Sequence, residues 1–399
     1  MNNTQEFDKH ILISVIEKLN SCIIMYPHHS LIFNKYANFC IKNNTIFNRN
    51  KIIDMIMVTQ YMKNVTHTLD FIFTFLTKEQ INEIYLGKTI LDIALDKVVL
   101  QVSFDCVKSL INNGANVLLT ADIIPPFYKM ITHSKLKNFS DLCIEVIDRL
   151  NIDPYVVYGK YTTMEHIMRC NDVNYAILDK FVSMGYGFDH ILPNSDSLLM
   201  SVVEYRSNYI DVYILIEYLI KNKCDIHHKN NDGENVLSKL FRNQYASEDV
   251  KKSIKLLVEN GININVRIRN IPLIFRIIDN VELYDCLDLF DIFYNKGIDY
   301  NMRYAGMNIL NHACNQILTN KKTYIVKKLL ENGCEIDCNE KGLISFYNIV
   351  RNENKSELVK ILMEKLPWEK YENKGKKIHE LCLPEYVELF KNHKKFKHI

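Results

Sequence analysis

The sequence predicts an all-α fold, a solenoid of about eight repeated helix pairs with short β-hairpin fingers between them and helical caps at both ends. Two sequence motifs that recur with one period predict the repeats, and the composition agrees with them. Of the 399 residues, 48% are hydrophobic, whereas only 12 are glycine and 8 are proline. Such a chain can bury a core, and it lacks the Gly- and Pro-rich turns of an all-β protein.

The first motif marks the end of a helix. It occurs as Leu110-Ile-Asn-Asn-Gly-Ala-Asn-Val117 and as Leu329-Leu-Glu-Asn-Gly-Cys-Glu-Ile336, with an apolar pair, a polar pair, glycine and an alternating triplet. Glycine suits the left-handed conformation that ends a helix because it has no Cβ atom. The equivalent positions, 33 to 38 residues apart, are Gly114, Asn151, Gly185, Lys223, Gly261, Gly297, Gly333 and Leu366.

The second motif marks the beginning of a helix. It occurs as Thr89-Ile-Leu-Asp-Ile-Ala94 and Asn308-Ile-Leu-Asn-His-Ala313, and its central apolar residue recurs every 35 to 38 residues. Because two independent motifs share one period, we predict two helices in each repeat. The second helices should end at the glycine-equivalent positions. The first helices should begin near Thr89, Pro126, Thr163, Leu198, Val236, Pro272, Ile309 and Ser345.

Over residues 86–366 these motifs resemble those of ankyrin repeats, which begin with Thr-Pro-Leu-His-x-Ala and end with Leu-Leu-x-x-Gly-Ala in a unit of ~33 residues. The resemblance implies a non-enzymatic scaffold that binds another protein through a concave surface of fingers and first helices. The chain departs from the family where Asp92 and Glu165 replace the motif histidine. It also has 20 to 24 residues between the central apolar and glycine positions, compared with ~19 in the family.

The extra residues between the helices, and the abundance of Ile, Asn and Lys, are similar to the ankyrin proteins of poxviruses and giant DNA viruses. This resemblance implies a viral protein that binds a host or viral partner, whose identity it does not give. Such poxviral proteins often end in an F-box-like segment, which Leu383-Pro384-Glu385 within residues 378–390 resembles. The alternative function is therefore a substrate adaptor that recruits a host cullin-type ubiquitin ligase.

The two ends of the chain lack both motifs. We predict that residues 1–85 form an N-terminal helical cap or eroded repeats, because an array must cover its first apolar face. Residues 367–399 are predicted to form a C-terminal helical cap with a basic tail, and this cap is the alternative to the F-box-like segment.

Charge and the N-terminal sequence indicate the environment and the partners. The 49 Lys and Arg residues against 47 Asp and Glu residues give a net charge of +2, which argues against a nucleic-acid partner. The chain begins with no basic segment followed by an apolar stretch, and the apolar run 71–76 is far below the ~18 residues of a membrane span. We expect a monomeric cytoplasmic protein, in the host cytoplasm if it is viral, without a membrane partner.

No catalytic residue, cofactor or metal site is predicted. The eleven cysteines are scattered without a Cys-x-x-Cys pair, which indicates reduced thiols. A metal site at His312, Cys314, Cys334 and Cys338 conflicts with the places of these residues in the two motifs. Neither GxxxxGK[ST] nor GxGxxG occurs, so no phosphate-binding loop is indicated. The enzymatic alternative is a site in residues 1–85, where no acids, bases or nucleophiles cluster.

The predicted partner-binding residues lie in three consecutive fingers, each between a glycine-equivalent position and the next helix start. Tyr and Arg are enriched at binding hot spots, although finger tips are also polar for the simple reason that water surrounds them. The predicted residues are His227, His228, Lys229, Arg267, Arg269, Tyr300, Arg303 and Tyr304. The three arginines and Tyr304 are expected to form one face for an acidic or aromatic-lined protein surface.

Overall fold

The chain divides between Tyr186 and Gly187 into two compact units, unit 1 before this point and unit 2 after it. Both units consist of helix pairs joined by short hairpins, which confirms the predicted fold class. The predicted boundaries at residues 85 and 366 stay predictions, and residues 1–76 of the N-terminal cap lie outside the described residues. The computed structural model describes residues 77–84, 87–96, 101–119, 124–206, 212–242, 247–282, 286–315, 319–334, 347–351, 353–365, 372–373 and 376–393.

The described part of unit 1 contains three repeats after one short helix, α1. In each repeat a first helix packs against a second helix, and neighbouring first helices pack against each other. The helices are α1 Lys78–Ile81, then α2 Ile90–Leu95 with α3 Gln101–Asn112, α4 Pro126–Thr132 with α5 Lys137–Leu150, and α6 Thr163–Arg169 with α7 Tyr175–Ser183.

Unit 2 continues the same pattern in its described residues. Residues 347–350 are helical and precede the last helix of the predicted array, α16 Ser356–Lys365. The earlier pairs are α8 Leu198–Arg206 with α9 Val212–Lys221, α10 Val236–Leu240 with α11 Glu248–Glu259, α12 Leu273–Asn280 with α13 Leu287–Asn295, and α14 Ile309–Cys314 with α15 Asn320–Glu331.

The first helices begin within one residue of each predicted position that the structure describes. Reciprocal capping explains two of these starts. The Asp92 N–H donates to the Thr89 hydroxyl, and the Thr89 N–H donates to the Asp92 carboxylate, both at 3.1 Å. Thr162 and Glu165 repeat this arrangement at the start of α6. The start predicted near Ser345 lies outside the described residues.

The second helices end one or two residues before the glycine-equivalent positions. Each described position has a left-handed backbone, with φ between 76° and 98° at the glycines, 47° at Asn151 and 62° at Lys223. The helix-ending motif therefore predicted a backbone conformation, and it did so even where the residue is not glycine. The last position, Leu366, lies outside the described residues.

In the described residues, four antiparallel hairpins lead directly into the first helix of a pair. The residues at equivalent places on their first strands are Val157, Arg267, Arg303 and Glu372, because each pairs with the residue just before a helix. The two-residue turns likewise align Gly159, Arg269 and Ala305. The strand pairs are β1 Val157–Tyr158 with β2 Tyr161–Thr162, β3 Arg267–Ile268 with β4 Ile271–Pro272, β5 Arg303–Tyr304 with β6 Met307–Asn308, and β7 Glu372–Asn373 with β8 Lys376–Lys377.

The C-terminal segment contains a further hairpin and helix pair. β8 leads into α17 Ile378–Leu381, and α18 Pro384–Asn392 packs against α17 and α16. Tyr386 is fully buried, and its hydroxyl accepts a hydrogen bond from the Lys355 N–H at 2.7 Å. The helical prediction for this region is thus confirmed for residues 378–392. The hairpin was missed because its residues match neither motif.

Leucines of both motifs form the core between the repeats. Burying them is the main stabilisation of each helix pair, since one repeat alone cannot cover its apolar face. The leucines predicted to be buried, each at most 1% exposed, are Leu91, Leu110, Leu237, Leu257, Leu273, Leu310 and Leu329.

Residues just before the predicted array make a contact that recurs within it. The Asn116 N–H donates to Asn82 Oδ1 at 2.6 Å. Asp225 donates in the same way to Asp189, and Asp299 to Asn265. Asn82 therefore accepts the same kind of hydrogen bond as Asp189 and Asn265 do.

Candidate functional site

The hairpins β3–β4 and β5–β6 of unit 2 lie side by side, and hydrogen bonds join them at two places along the chain. Before the strands, the Asp299 N–H donates to Asn265 Oδ1 at 2.9 Å. On the strands, Arg267 Nη2 donates to the Arg303 carbonyl oxygen at 3.3 Å. Since two bonds at different levels fix the hairpins relative to each other, the structure brings Arg267 and Arg303 together on one surface.

Arg267 is held by backbone carbonyls and not by acids. Its Nη1 donates to the Asn270 carbonyl oxygen at 2.9 Å, in addition to its bond to Arg303. Arg269 is exposed at the tip of the same hairpin. Among the residues that the structure describes, no carboxylate lies within ion-pair distance of the Arg267 or Arg269 guanidinium. The hairpin therefore carries two positive charges that no described acid neutralises.

The two predicted tyrosines lie partly against neighbouring helices. The ring of Tyr304 meets Phe275 of α12 edge to face, with centroids 6.1 Å apart. Tyr300 meets Tyr294 of α13 in the same way at 6.3 Å. Burial raises the pKa of Tyr300, so its phenol stays neutral at ordinary pH. Both tyrosines are therefore partly used in packing.

The remaining predicted residues lie in the segment between α9 and α10. His227 and Lys229 are exposed, whereas His228 Nε2 lies 2.8 Å from the Ser195 carbonyl oxygen. This segment connects to the two hairpins through α10, where the Ser238 hydroxyl donates to the Arg267 carbonyl oxygen at 3.3 Å. The structure thus places the three predicted fingers next to one another and brings Arg267 and Arg303 into direct contact.

An ion network on the first helices of unit 2 was not predicted. Lys239 Nζ on α10 lies 2.7 Å from Asp196, 3.3 Å from Glu204 and 3.7 Å from Glu234. Arg242 lies 2.6 Å from both Glu204 and Glu234. Lys239, Asp196 and Glu234 are nearly inaccessible, with side chains at most 4% exposed. In these contacts three carboxylates face two cations.

The same pattern occurs on other first helices, and the sequence contained a signal for it. Lys129 on α4 lies 2.8 Å from Asp96, and His312 Nε2 on α14 lies 2.7 Å from Asp279. Lys129, Lys239 and His312 each stand two residues after the central apolar residue of the second motif, with an acid 33 to 35 residues earlier. Comparing charges one period apart would have predicted these pairs.

Six of the eight described cysteines are buried, and Cys170 and Cys382 are half-buried. Burial raises the pKa of Cys106 and Cys224 to about 12, and it raises that of Cys314 as well. A thiol that stays protonated is a poor nucleophile and a poor metal ligand. In the described part of the chain, no group of three His, Cys, Asp or Glu residues is arranged to hold a metal ion. Cys338 lies outside this part.

None of the helices described here is long and apolar enough to cross a membrane.

The Leu383-Pro384 step of the F-box-like alternative lies at the start of α18. The Leu383 N–H donates to the Val350 carbonyl oxygen at 2.9 Å. The Asn354 N–H donates to Glu385 Oε1 at 3.1 Å. These bonds tie the segment to the preceding repeat, as a terminal cap requires. The adaptor alternative stays a prediction.

No protein-family model and no curated protein matches the chain. Among solved structures it is similar to the ankyrin repeat domain of Bcl-3, a unique member of the IkappaB protein family, with 14% identity and a TM-score of 0.41. This match covers 56% of the chain and 93% of the Bcl-3 domain. The chain is also similar to the human ASB11 ankyrin repeat domain, with 15% identity, a TM-score of 0.36 and coverage of 59% and 95%.

Proposed function

We propose that this protein is a non-enzymatic scaffold that binds another protein through the fingers and first helices of unit 2. The observation that carries the proposal is the Arg267–Arg303 contact. It joins two hairpins into one surface that exposes Arg269 and holds two guanidinium charges without a described acid. Arginine at such places contributes to recognition more than to the fold, since hairpin tips add little to a repeat core.

The more specific parts of the proposal come from the sequence alone. They are a viral protein, monomeric and located in the host cytoplasm, with a host or viral protein as its partner. The ubiquitin-ligase adaptor is not proposed as a second function, because the described contacts of residues 383–385 are those of a terminal repeat.

The test is a quantitative affinity purification from host cells with two matched variants. The first variant replaces Arg267, Arg269, Arg303 and Tyr304 by Ala. The control replaces Lys252, Lys255, Lys360 and Tyr213 by Ala, which removes three cations and one tyrosine from the second helices. Proteins that depend on the finger residues should be lost with the first variant only. Each true hot spot should contribute about 1 kcal/mol or more to binding.

The control variant should retain the melting temperature of the parent protein, and the finger variant should stay folded although it loses the Tyr304–Phe275 contact. If proteins recovered by the parent protein persist with the finger variant and disappear with the control, the binding surface is the second-helix side and the proposal fails. If a cullin or its adaptor is recovered and is lost on substitution of Glu385 and Glu388, both exposed on α18, the adaptor alternative takes its place.

A further inference from the structure

We infer that the partner presents an acidic segment, and that the guanidinium groups of Arg267, Arg269 and Arg303 bind its carboxylates. This inference rests on the proposed function and narrows it. The sequence left two kinds of partner surface open, acidic or aromatic-lined. The contacts of the predicted residues in and beside these two hairpins favour an acidic partner surface. These residues are Arg267, Arg269, Tyr300, Arg303 and Tyr304.

The first step concerns charge. Over residues 262–272, which include β3–β4, the chain contains two arginines and no acid, and over 298–308 it contains Arg303 and one acid, Asp299. Asp299 Oδ1 already accepts a hydrogen bond from the Asn301 N–H at 2.9 Å. The two hairpins together therefore carry an excess of two positive charges, and a carboxylate-rich segment complements them.

The second step concerns the geometry of the donors. Arg267 uses one N–H on the Asn270 carbonyl and another on the Arg303 carbonyl. These bonds hold its guanidinium across the two hairpins without neutralising it. A guanidinium has five N–H donors, so further donors remain for an incoming carboxylate. A donor held in place loses less entropy on binding than an arginine that moves freely.

The third step concerns Arg269. Its backbone is left-handed, with φ of 48°, and Asn270 follows with φ of 67°. Two-residue hairpin turns of this kind favour Asn or Gly at the first place, and the equivalent residue of β1–β2 is Gly159. Arginine there makes the turn less favourable than glycine would. Ala305 takes the same left-handed place on β5–β6, so the backbone does not require arginine here, and Arg269 bears on binding through its exposed charge.

The fourth step concerns the tyrosines. Tyr304 packs on Phe275 and Tyr300 on Tyr294, so each presents only part of its ring. An aromatic-lined partner needs open ring faces to stack on. The arginines, in contrast, present exposed charge on both hairpins. Carboxylates therefore match this surface better than aromatic side chains do.

A nucleic acid is the other polyanion to consider, and the chain favours it less. The net charge of the whole chain is only +2. Nucleic-acid binding draws on many phosphate contacts and a broad basic surface. Three arginines on two hairpins are a local feature, which suits a short acidic stretch of a protein.

The probe is a fluorescein-labelled oligoglutamate of roughly ten residues, long enough to cross two neighbouring hairpins. Its binding to the full chain is measured by fluorescence anisotropy at low and at high salt. A glutamine peptide of equal length and an oligothymidylate serve as comparison ligands. We expect binding of the glutamate peptide that weakens with salt, and no binding of the glutamine peptide.

Arg269→Glu and Arg303→Glu should each raise the Kd of the glutamate peptide by about tenfold or more, which is 1.4 kcal/mol. Tyr304→Phe should leave the Kd within about twofold. The matched control is Lys160→Glu, which makes the same charge change on hairpin β1–β2 of unit 1 and should also leave it within about twofold. Arg269→Gly should lose affinity while keeping the melting temperature, because glycine suits this turn.

The inference is overturned if the glutamate peptide binds no better than the glutamine peptide, or if Lys160→Glu weakens binding as much as Arg269→Glu. Tighter binding of the oligothymidylate, lost in the same arginine variants, would assign the surface to nucleic acid. The proposed function is tested separately. If natural partners depend on the finger residues but bind equally well to Arg269→Glu, the scaffold proposal holds and the acidic segment is wrong.

Discussion

Units 1 and 2 share one repeat, yet their hairpins present different chemistry. At the place where unit 2 carries Arg267, Arg303 and Glu372, unit 1 carries Val157, which is 52% exposed. At the turn, Gly159 stands where unit 2 has Arg269. The described central residues of the second motif, by contrast, are buried and apolar in both units. The hairpin surface is under little constraint from the core, so function can change there while the repeat stays the same.

The first helices differ in a second way. Lys129 in unit 1 and Lys239 in unit 2 occupy equivalent places and both face acids. The Lys129 side chain is 22% exposed, whereas that of Lys239 is 3% exposed. A charge kept from water depends on its partners far more than one that water reaches. Water therefore reaches the lysine in unit 1 and not in unit 2, although Asp92, 3.1 Å from Lys129, is itself only 2% exposed.

The largest expected effect tests this difference directly. Lys239→Ala leaves two nearly inaccessible carboxylates without their ammonium, and we expect a loss of about 3–5 kcal/mol in the free energy of unfolding. Lys129→Ala also removes a cation 3.1 Å from buried Asp92, but water reaches this lysine and the Thr89 N–H still donates to Asp92, so we expect a smaller cost of about 1–3 kcal/mol. Urea unfolding, with hydrogen exchange to assign each loss to its unit, measures both. Equal costs would mean that burial does not separate the two pairs.

The next effect concerns the buried leucines that form the core within each unit. Leu310→Ala removes a side chain that is 1% exposed, and it should lower the free energy of unfolding by ~2–5 kcal/mol. The control is Leu136→Ala in unit 1, where the side chain is 51% exposed and the change should stay within about 0.5 kcal/mol. A cost below about 1 kcal/mol for Leu310→Ala would show that the repeat register is wrong.

A smaller effect concerns pH and unit 1. Burial lowers the pKa of His133 and of His166 below the ordinary value of 6.5. Below this pH the unfolded chain binds more protons than the folded one, so the free energy of unfolding of unit 1 should fall as the pH falls from 6.5. Hydrogen exchange at a series of pH values checks this. The double variant His133→Gln, His166→Gln should show a weaker dependence, and an unchanged dependence would assign the effect to other groups.

The smallest effect concerns the hairpins. Val157→Arg gives unit 1 the residue type of Arg267, and it should change the free energy of unfolding by less than about 0.5 kcal/mol because Val157 is exposed. Val266→Arg is the contrasting change, since Val266 is 3% exposed and a buried charge there should be costly. Thermal melting compares the two. A large cost for Val157→Arg would show that the unit 1 hairpin is part of the core.

The helix positions could be predicted because local chemistry sets them. Thr89 and Asp92 cap a helix within four residues of chain, and Gly114 ends one by its own conformation. The hairpin 372–377 escaped prediction because two-residue strands have no period of their own. The predicted finger residues were partly separated by packing, since Tyr304 turned out to lie on Phe275. The Tyr304–Phe275 contact joins two neighbouring repeats, and neither sequence motif specifies which side chains meet there.

The contacts between neighbouring repeats have a consequence for folding kinetics. Lys239 and Asp196 are 43 positions apart in sequence, and Arg267 and Arg303 are 36 apart. Each such span is about a tenth of the chain, which corresponds to a low relative contact order and to short loop closures. A repeat can therefore form as soon as its neighbour exists, so each unit should grow stepwise from any folded pair, like a one-dimensional lattice with nearest-neighbour coupling.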